Sequence, residues 1–362
     1  MSESSATTGP PSSSSGKSIA FAVLAFFLCL AAVCGLFAET IGPDKSIFGR
    51  DTVSHDYGML LWSWEALCEN WRMPLWNPYL FGGIPTLGTF ALNPFNLQSL
   101  LLPLFSFPLA FTFYYLVTFA IGGMGMALLL RQIGMNFPVS LLFGIVFSLS
   151  GHFTTMAHAG HLTKAMAFAW VPWLFVLAER WFDQPTLRRT LAMSIPLALM
   201  ITASHLQIAY LAGVFLCIWL VGTACRAGFG SSPTGKTYLM ALRFAQLGLA
   251  CVFAAVLSAG QLLPGLEMAA MSNRSEGVTH EEAARTSYPP IELLEYVVPG
   301  WFGSNAPHAR KPYEGMWGAP MSERIVSDYF GVLALAMAFV AIAFARDRGK
   351  WTWAAIALLG IW

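Results

Sequence analysis

Charge is what this chain has least of: Asp, Glu, Lys and Arg make up 11% of its 362 residues, against 56% that are hydrophobic. That scarcity excludes an ordinary soluble domain, because so large an apolar fraction cannot be placed in one aqueous core and needs lipid as solvent. An excess of either sign is missing too, since the formal net charge is +1 and the basic residues are scattered among loops. Nothing offers a polyanion a surface, and nucleic acid is not an expected partner. Of the six cysteines, Cys29, Cys34, Cys217, Cys225 and Cys251 lie within or at the ends of apolar runs, leaving Cys68 alone in a polar segment. No intrachain disulfide framework follows. The sequence also lacks a Walker loop, a dinucleotide fingerprint, a Gly-x-Ser-x-Gly elbow and a His-Glu-x-x-His run, which removes the commonest nucleotide and hydrolase readings. Residues 1–17, a Ser, Thr, Gly and Pro tract, lack the apolar side chains that would offset chain entropy and read as a disordered cytoplasmic tail.

What is present is a succession of long apolar runs. The first, Ser18 to Phe37, is about 20 residues, enough to span ~30 Å and longer than a signal peptide's ~7–15-residue apolar region. It reads as an uncleaved first helix. Further spans are expected at Phe111 to Leu130, Val139 to Thr155, Leu162 to Trp181, Thr190 to Ser204, Gln207 to Ala224, Tyr238 to Leu263 and Asp328 to Ala345, about eight in all. Trp351 to Trp362 begins another, at about 12 of the ~20 residues a crossing needs, so the chain is expected to stop inside a larger protein. The class is an all-α polytopic membrane protein, with residues 18–362 forming one transmembrane domain.

Arg131, then Arg180, Arg188 and Arg189, then Arg226, Lys236 and Arg243, then Arg346, Arg348 and Lys350 fall in alternate short loops. That places the N-terminus in the cytoplasm. Positive residues on the other side lie mostly in one long loop, where the bias weakens. The outer segments are then residues 38–110, 150–161, 204–207 and 261–327, and they hold most of the chemistry-bearing side chains. Within the first, Leu97 to Phe105 is too short to span and is bracketed by Pro94 and Pro103, which fits an interfacial helix. No internal repeat is evident.

Asp51 and Asp56 follow the first helix, where carboxylates could hold a hard divalent cation, Mg2+ or Mn2+, or take a proton from an incoming hydroxyl; they could equally be solvated loop acids. Trp76, Asn77 and Tyr79, followed by Gly82-Gly83-Ile84-Pro85, offer aromatic faces beside a tight backbone, suited to stacking on a sugar or to sitting at headgroup level. His152, His158 and His161 gather at one outer turn with Lys164 just beyond, and His158 and His161 share a face if helical. Hydrogen bonding to a phosphate or hydroxyl, or a zinc site, would each use them. His205 and Gln207 sit at one outer hairpin, while Gln261 and Glu267 flank Pro264 at another; such groups line a bundle interior or a wet cavity, or simply bond helix to helix. Arg274, Arg285, Arg310, Lys311 and Arg324 populate the last outer loop, and Arg274, nearest the helix end, is best placed to neutralise a lipid phosphate.

These strings carry a resemblance. Gly49-Arg50-Asp51, Pro74-Leu75-Trp76-Asn77-Pro78, Phe81-Gly82-Gly83-Ile84-Pro85, Asn93-Pro94-Phe95-Asn96-Leu97, Gly260-Gln261-Leu262-Leu263-Pro264, Glu267, Ser272, Arg274 and Asp328-Tyr329-Phe330-Gly331, in this order, resemble the YfhO-like bacterial membrane proteins of the GT-C type of glycosyltransferases. The likeness covers most of residues 18–362. It implies a GT-C-like helix bundle in the bacterial cytoplasmic membrane, with extracytoplasmic loops bearing short interfacial helices. It further implies transfer of a sugar from a polyprenyl-phosphate-linked donor to an extracytoplasmic glycan or protein acceptor, with Asp51 as the acidic residue after the first helix. Family members often have Gln before Tyr where this chain has Asp56-Tyr57, and they are longer. The rival readings are a transporter or lipid flippase and a non-catalytic scaffold of an envelope assembly.

Overall fold

A computed structural model describes residues 13–49, 51–53, 57–80, 82–89, 96–227, 233–272, 275, 277, 279–281, 290–298, 301, 329, 331–347 and 349–361. Helix α1 (Ser13–Leu36) begins inside the tract read as a tail. After a polar stretch and α2 (Tyr57–Trp64), helices α3 (Phe107–Gln132), α4 (Phe137–Ser148), α5 (Gly151–Ala159), α6 (Leu162–Ala169) and α7 (Val171–Asp183) follow. Then come α8 (Leu187–Thr202), α9 (Leu206–Arg226), α10 (Pro233–Leu257) and α11 (Ala259–Ala270), with two more helices at Val332–Phe344 and Gly349–Ile361. Among the described residues the only sheet is a two-residue pair, Trp76–Asn77 against Ile84–Pro85. The protein is an all-α polytopic membrane protein.

Among the described residues, six helical stretches are long and apolar enough to cross a bilayer: Gly16–Leu36, Phe107–Gln132, Phe137–Ala159, Leu162–Asp183, Leu206–Arg226 and Thr237–Leu257. The other two expected spans are shorter helices. At about 1.5 Å per residue, the 16 residues of α8, with Pro196 inside it, fall short of a ~30 Å core, and so do the 13 of Val332–Phe344. Three expected spans are also broken. The third divides at Leu149 and Ser150, the fourth at Trp170 with Pro172 opening α7, and the last long one at Ser258, whose hydroxyl donates to the Ala254 carbonyl at 2.7 Å. Pro172 has no N–H to give, so it costs least in the first turn of a helix, where it stands in α7. The expected interfacial helix is a 3-10 helix, Leu97–Leu104, with Pro103 near its end.

Helix α3 is the axis of the bundle. Its residues Phe107, Phe111, Tyr115 and Phe119 recur every fourth position and are all buried, forming a column of edge-to-face and tilted rings with centroids 5.7 to 6.2 Å apart. The column continues into Phe153 of α5 at 4.6 Å and is topped by Tyr57, 4.8 Å from Phe107. Apolar rings gain little from leaving lipid, so dispersion and close fit hold such a column together. On another face, Gly123 of α3 crosses Gly144 of α4 so closely that a methyl on Gly144 would come within 2.8 Å of the Gly123 carbonyl oxygen and Ala127. Small residues at the crossing let the two backbones meet, as helix pairs in lipid require.

Arg243, expected in a short inner loop, lies instead within α10 and is buried. Its guanidinium donates to the carbonyls of Trp181 (3.3 Å) and Phe182 (3.1 Å) and stacks over both rings. It thereby satisfies the carbonyl end of α7, where a cation complements the helix dipole.

Candidate functional site

Part of the polar segment after α1 is tucked against the bundle. Residues 46–49 and 51–53 run beside α3: the Ile47 N–H donates to Thr112 Oγ1 at 3.2 Å, and Thr52 Oγ1 and Tyr115 Oη lie 3.4 Å apart, with Ile47, Thr52 and Tyr115 all buried. Tyr115 is eight residues along α3 from Phe107, so Thr52 is recessed about 12 Å below the start of that helix. The extended residues 46–49 that lead into it, and the short helical turn that carries Thr52, survive at such depth only inside protein or along a wet cavity. Thr52 meets the first condition, being fully enclosed, while the Asp51 side chain is half exposed.

What holds the segment there is a crossing of two glycines. Gly160 ends α5 with φ +89°, a left-handed conformation that favours glycine. The Gly160 N–H donates to the Ala157 carbonyl (3.3 Å) and the His161 N–H to the Met156 carbonyl (2.8 Å), the paired bonds of a Schellman terminus. A methyl on Gly160 would meet the Thr52 amide nitrogen at 2.5 Å, and one on Gly49 would strike the Gly160 backbone. Two bare backbones in contact therefore bring Asp51 to the residue that follows Gly160. Asp51 Oδ2 lies 3.0 Å from His161 Nε2.

His161 Nδ1 is buried without a hydrogen-bond partner among the described residues. An imidazole in that setting is better served by Nε2–H donating to the carboxylate and a bare Nδ1, since an unsatisfied N–H costs more than an unused lone pair. Half-buried Lys164, one turn along α6, extends the site towards His205 at the start of α9. Burial pushes the His205 pKa below its usual 6.5, and the positive charge of Lys164 adds to the effect. Next to His205, Ser204 takes a positive φ of 69° between α8 and α9 and accepts a 2.6 Å hydrogen bond from the buried Gln261 amide. Beyond Gln261 opens a cleft of about 350 Å³, walled by Ile195, Ala198, Leu199 and Thr202 of α8 and by Leu257 and Ser258.

The structure thus brings together Asp51 and His161, with Lys164 and His205 beside them and Gln261 at the edge. The remaining histidines part company: His152 packs its ring on Phe168 at 4.5 Å, and His158 is exposed. Among the described residues no three His, Cys, Asp or Glu side chains converge as a metal site, so the three outer histidines do not assemble one. In the first outer segment, Asn77 is buried and its Oδ1 accepts the Tyr79 N–H at 2.9 Å, a turn-forming bond, while the Trp76 indole lies against Gly83. Tyr79 is 79% exposed. Gly88, just past this hairpin, rests on Pro264 and Met268, which docks the segment on α11; Glu267 of that helix is exposed. Asp56, Arg274, Arg285, Arg310, Lys311 and Arg324 lie outside the described residues.

Residues 90–268, just under half of the chain, match the family described as a 6-pyruvoyl-tetrahydropterin synthase related domain, a membrane protein. The chain is similar to a membrane protein family. The matched stretch runs from the end of the first polar segment through α11 and so contains His161, Lys164, His205 and Gln261 but not Asp51. No curated protein and no solved structure matches the chain.

Sequence reasoning selected Asp51, His161 and Gln261 and quoted Gly49 within a string, but it gave no role to Gly49, Gly160, Thr52 or Tyr115. A signal was available for two of them: Gly160 sits between His158 and His161 where a helix must end, and Tyr115 places a hydroxyl inside an apolar span.

Proposed function

We propose that this protein is a membrane glycosyltransferase of GT-C type that moves a sugar from a polyprenyl-phosphate-linked donor to an acceptor hydroxyl on an extracytoplasmic glycan or protein. The observation that carries the reading is the recessed Asp51–His161 pair with the Lys164 cation alongside. A carboxylate can take a proton there while a neighbouring cation receives a phosphate. In this reading the protein sits in the bacterial cytoplasmic membrane with its N-terminus inside.

The reaction follows from the charges. The acceptor hydroxyl gives its proton to the Asp51 carboxylate, its oxygen bonds to the sugar's anomeric carbon, and the bond from that carbon to the phosphate oxygen breaks with its electron pair. His161 holds the carboxylate in place through its Nε2–H. Negative charge gathers on the departing lipid phosphate, where Lys164 acts, with Arg274 as the second cation proposed for it. The apolar cleft beyond Gln261 would take the start of the polyprenyl chain, and Trp76, Asn77 and Tyr79 would shape the sugar or acceptor site. Mg2+ or Mn2+, if bound, would use Asp51 with the donor phosphate, since such ions often take one or two protein carboxylates and complete their shell from substrate and water. It would supply further charge neutralisation.

Removing a general base typically costs 10²- to 10⁴-fold. Asp51→Asn is expected to lower sugar transfer by about that factor while leaving abundance in membranes unchanged, measured with a radiolabelled polyprenyl-phosphate hexose. Undiminished transfer in the variant rejects the role.

A second reading, transport of the lipid carrier itself, draws on the three broken helices, because transporters build sites on discontinuous helices. Donor that moves across vesicle membranes without being consumed would favour it.

A further inference from the structure

At the far end of α3 from Tyr115 lies a groove that the proposed chemistry does not use. Tyr115 and Arg131 are 16 residues apart on that helix, about 24 Å along its axis, so the groove opens to the other leaflet. Its volume is about 700 Å³. Its floor is apolar: Phe21 and Leu24 of α1 face Leu128 of α3 and Phe137 of α4, with the Phe21 and Phe137 rings edge to face at 5.2 Å. Its rim is cationic. Lys17, Arg131 and Arg180 reach it from three different helices, Gln132 adds an amide, and no Asp or Glu is among the described lining residues.

The cations are also posed. The Arg131 guanidinium lies 5.8 Å from the Phe21 ring centroid and donates to the Met135 carbonyl at 2.5 Å. Arg180 Nε donates to Gln132 Oε1 at 2.9 Å, and the Gln132 amide in turn donates to the Val176 carbonyl at 2.9 Å. Two helices thus hold their guanidinium groups over one greasy furrow, and Lys17 lines it from a third. A freely hydrated anion has no use for that floor, and a neutral lipid has no use for that rim.

We infer that this groove holds an anionic phospholipid, with the phosphate of its headgroup among Lys17, Arg131 and Arg180 and the upper part of one acyl chain along Phe21, Leu24, Leu128 and Phe137. Basic pockets between transmembrane helices favour anionic headgroups, each cation near the surface adding about 1 kcal/mol or roughly five-fold in affinity. The lipid would join the first helix to the rest of the bundle at this face.

The test uses the purified, delipidated protein in neutral detergent. Short-chain phosphatidylglycerol and phosphatidylcholine are titrated in parallel, and bound lipid is counted by native mass spectrometry. Phosphatidylglycerol is expected to bind at least ten-fold more tightly, with the preference weakening as salt rises. Lys17→Gln, at an exposed position, and the double variant Arg131→Gln, Arg180→Gln should each reduce phosphatidylglycerol binding, by about five-fold per cation removed, and reduce binding of the zwitterionic phosphatidylcholine by less. Arg188→Gln, a basic residue outside the groove, should change nothing. Should the double variant fail to fold, Lys17→Gln decides alone. Equal binding of the two lipids, an equal loss in Arg188→Gln, or full competition by glycerol phosphate would each overturn the inference, the last by showing a site for soluble anions.

Discussion

Asp51 and His161 stand 110 positions apart in sequence, and their 3.0 Å approach depends on two residues that have no side chains. Asp51 was singled out by the resemblance and not by its position, since Glu39 and Asp44 lie nearer the end of α1. Its pairing with His161 was not legible, because periodicity reports which residues share a helix face and says nothing about which backbones touch across the bundle. The glycine crossing gives the sharpest prediction at this scale. Gly160→Ala adds a methyl at a left-handed φ and against Thr52, so it should destabilise the protein by about 1–3 kcal/mol, read as a lower unfolding temperature in detergent, with loss of any Asp51-dependent activity. His205 gives another. Its folded pKa lies below 6.5, so the unfolded chain binds more protons between the two values, and stability present above pH 6.5 should fall as the pH drops towards the folded pKa. Unfolding midpoints measured from pH 7.5 to pH 5 should fall less steeply in His205→Gln than in wild type.

Among the elements, long hydrophobic runs were read correctly as helices, and their interruptions were not. Hydropathy averages over a window and passes across Leu149-Ser150 and Ser258 without a mark, whereas Pro172 could have announced the start of α7. None of these three interruptions aims His161, which stands at the expected boundary between two spans, where α5 ends at Gly160 and α6 begins. Arg243 illustrates the opposite error. Counted as a loop charge that fixes orientation, it is a buried cap on α7. Arg243→Met keeps its bulk and removes the donors, and should cost about 1.5–3 kcal/mol, the usual worth of hydrogen bonds to a charged group. Thermal unfolding of the variant in detergent checks this, and an unchanged midpoint would return Arg243 to an incidental role.

For the whole molecule, membrane class was legible from charge and hydropathy alone, and both the six spanning stretches and the family match agree with it. Span number was less legible, since α8 and Val332–Phe344 are apolar enough to pass for crossings but too short to make them. Orientation can be checked directly with single-cysteine variants in intact cells. Cys68, beyond α1, should react with a membrane-impermeant maleimide, and Cys225, at the end of α9, should react only after the cells are opened. Burial and the neighbouring Glu69 carboxylate push the Cys68 thiol pKa up, so its labelling should quicken with alkaline pH. The most direct test of the central claim remains transfer from a radiolabelled polyprenyl-phosphate hexose in membranes holding wild type or Asp51→Asn at matched abundance. Donor consumption by wild type with a loss of about 10²-fold or more in the variant is the predicted result. Equal consumption by both, or none by either across the tested donors, would contradict a transferase centred on Asp51.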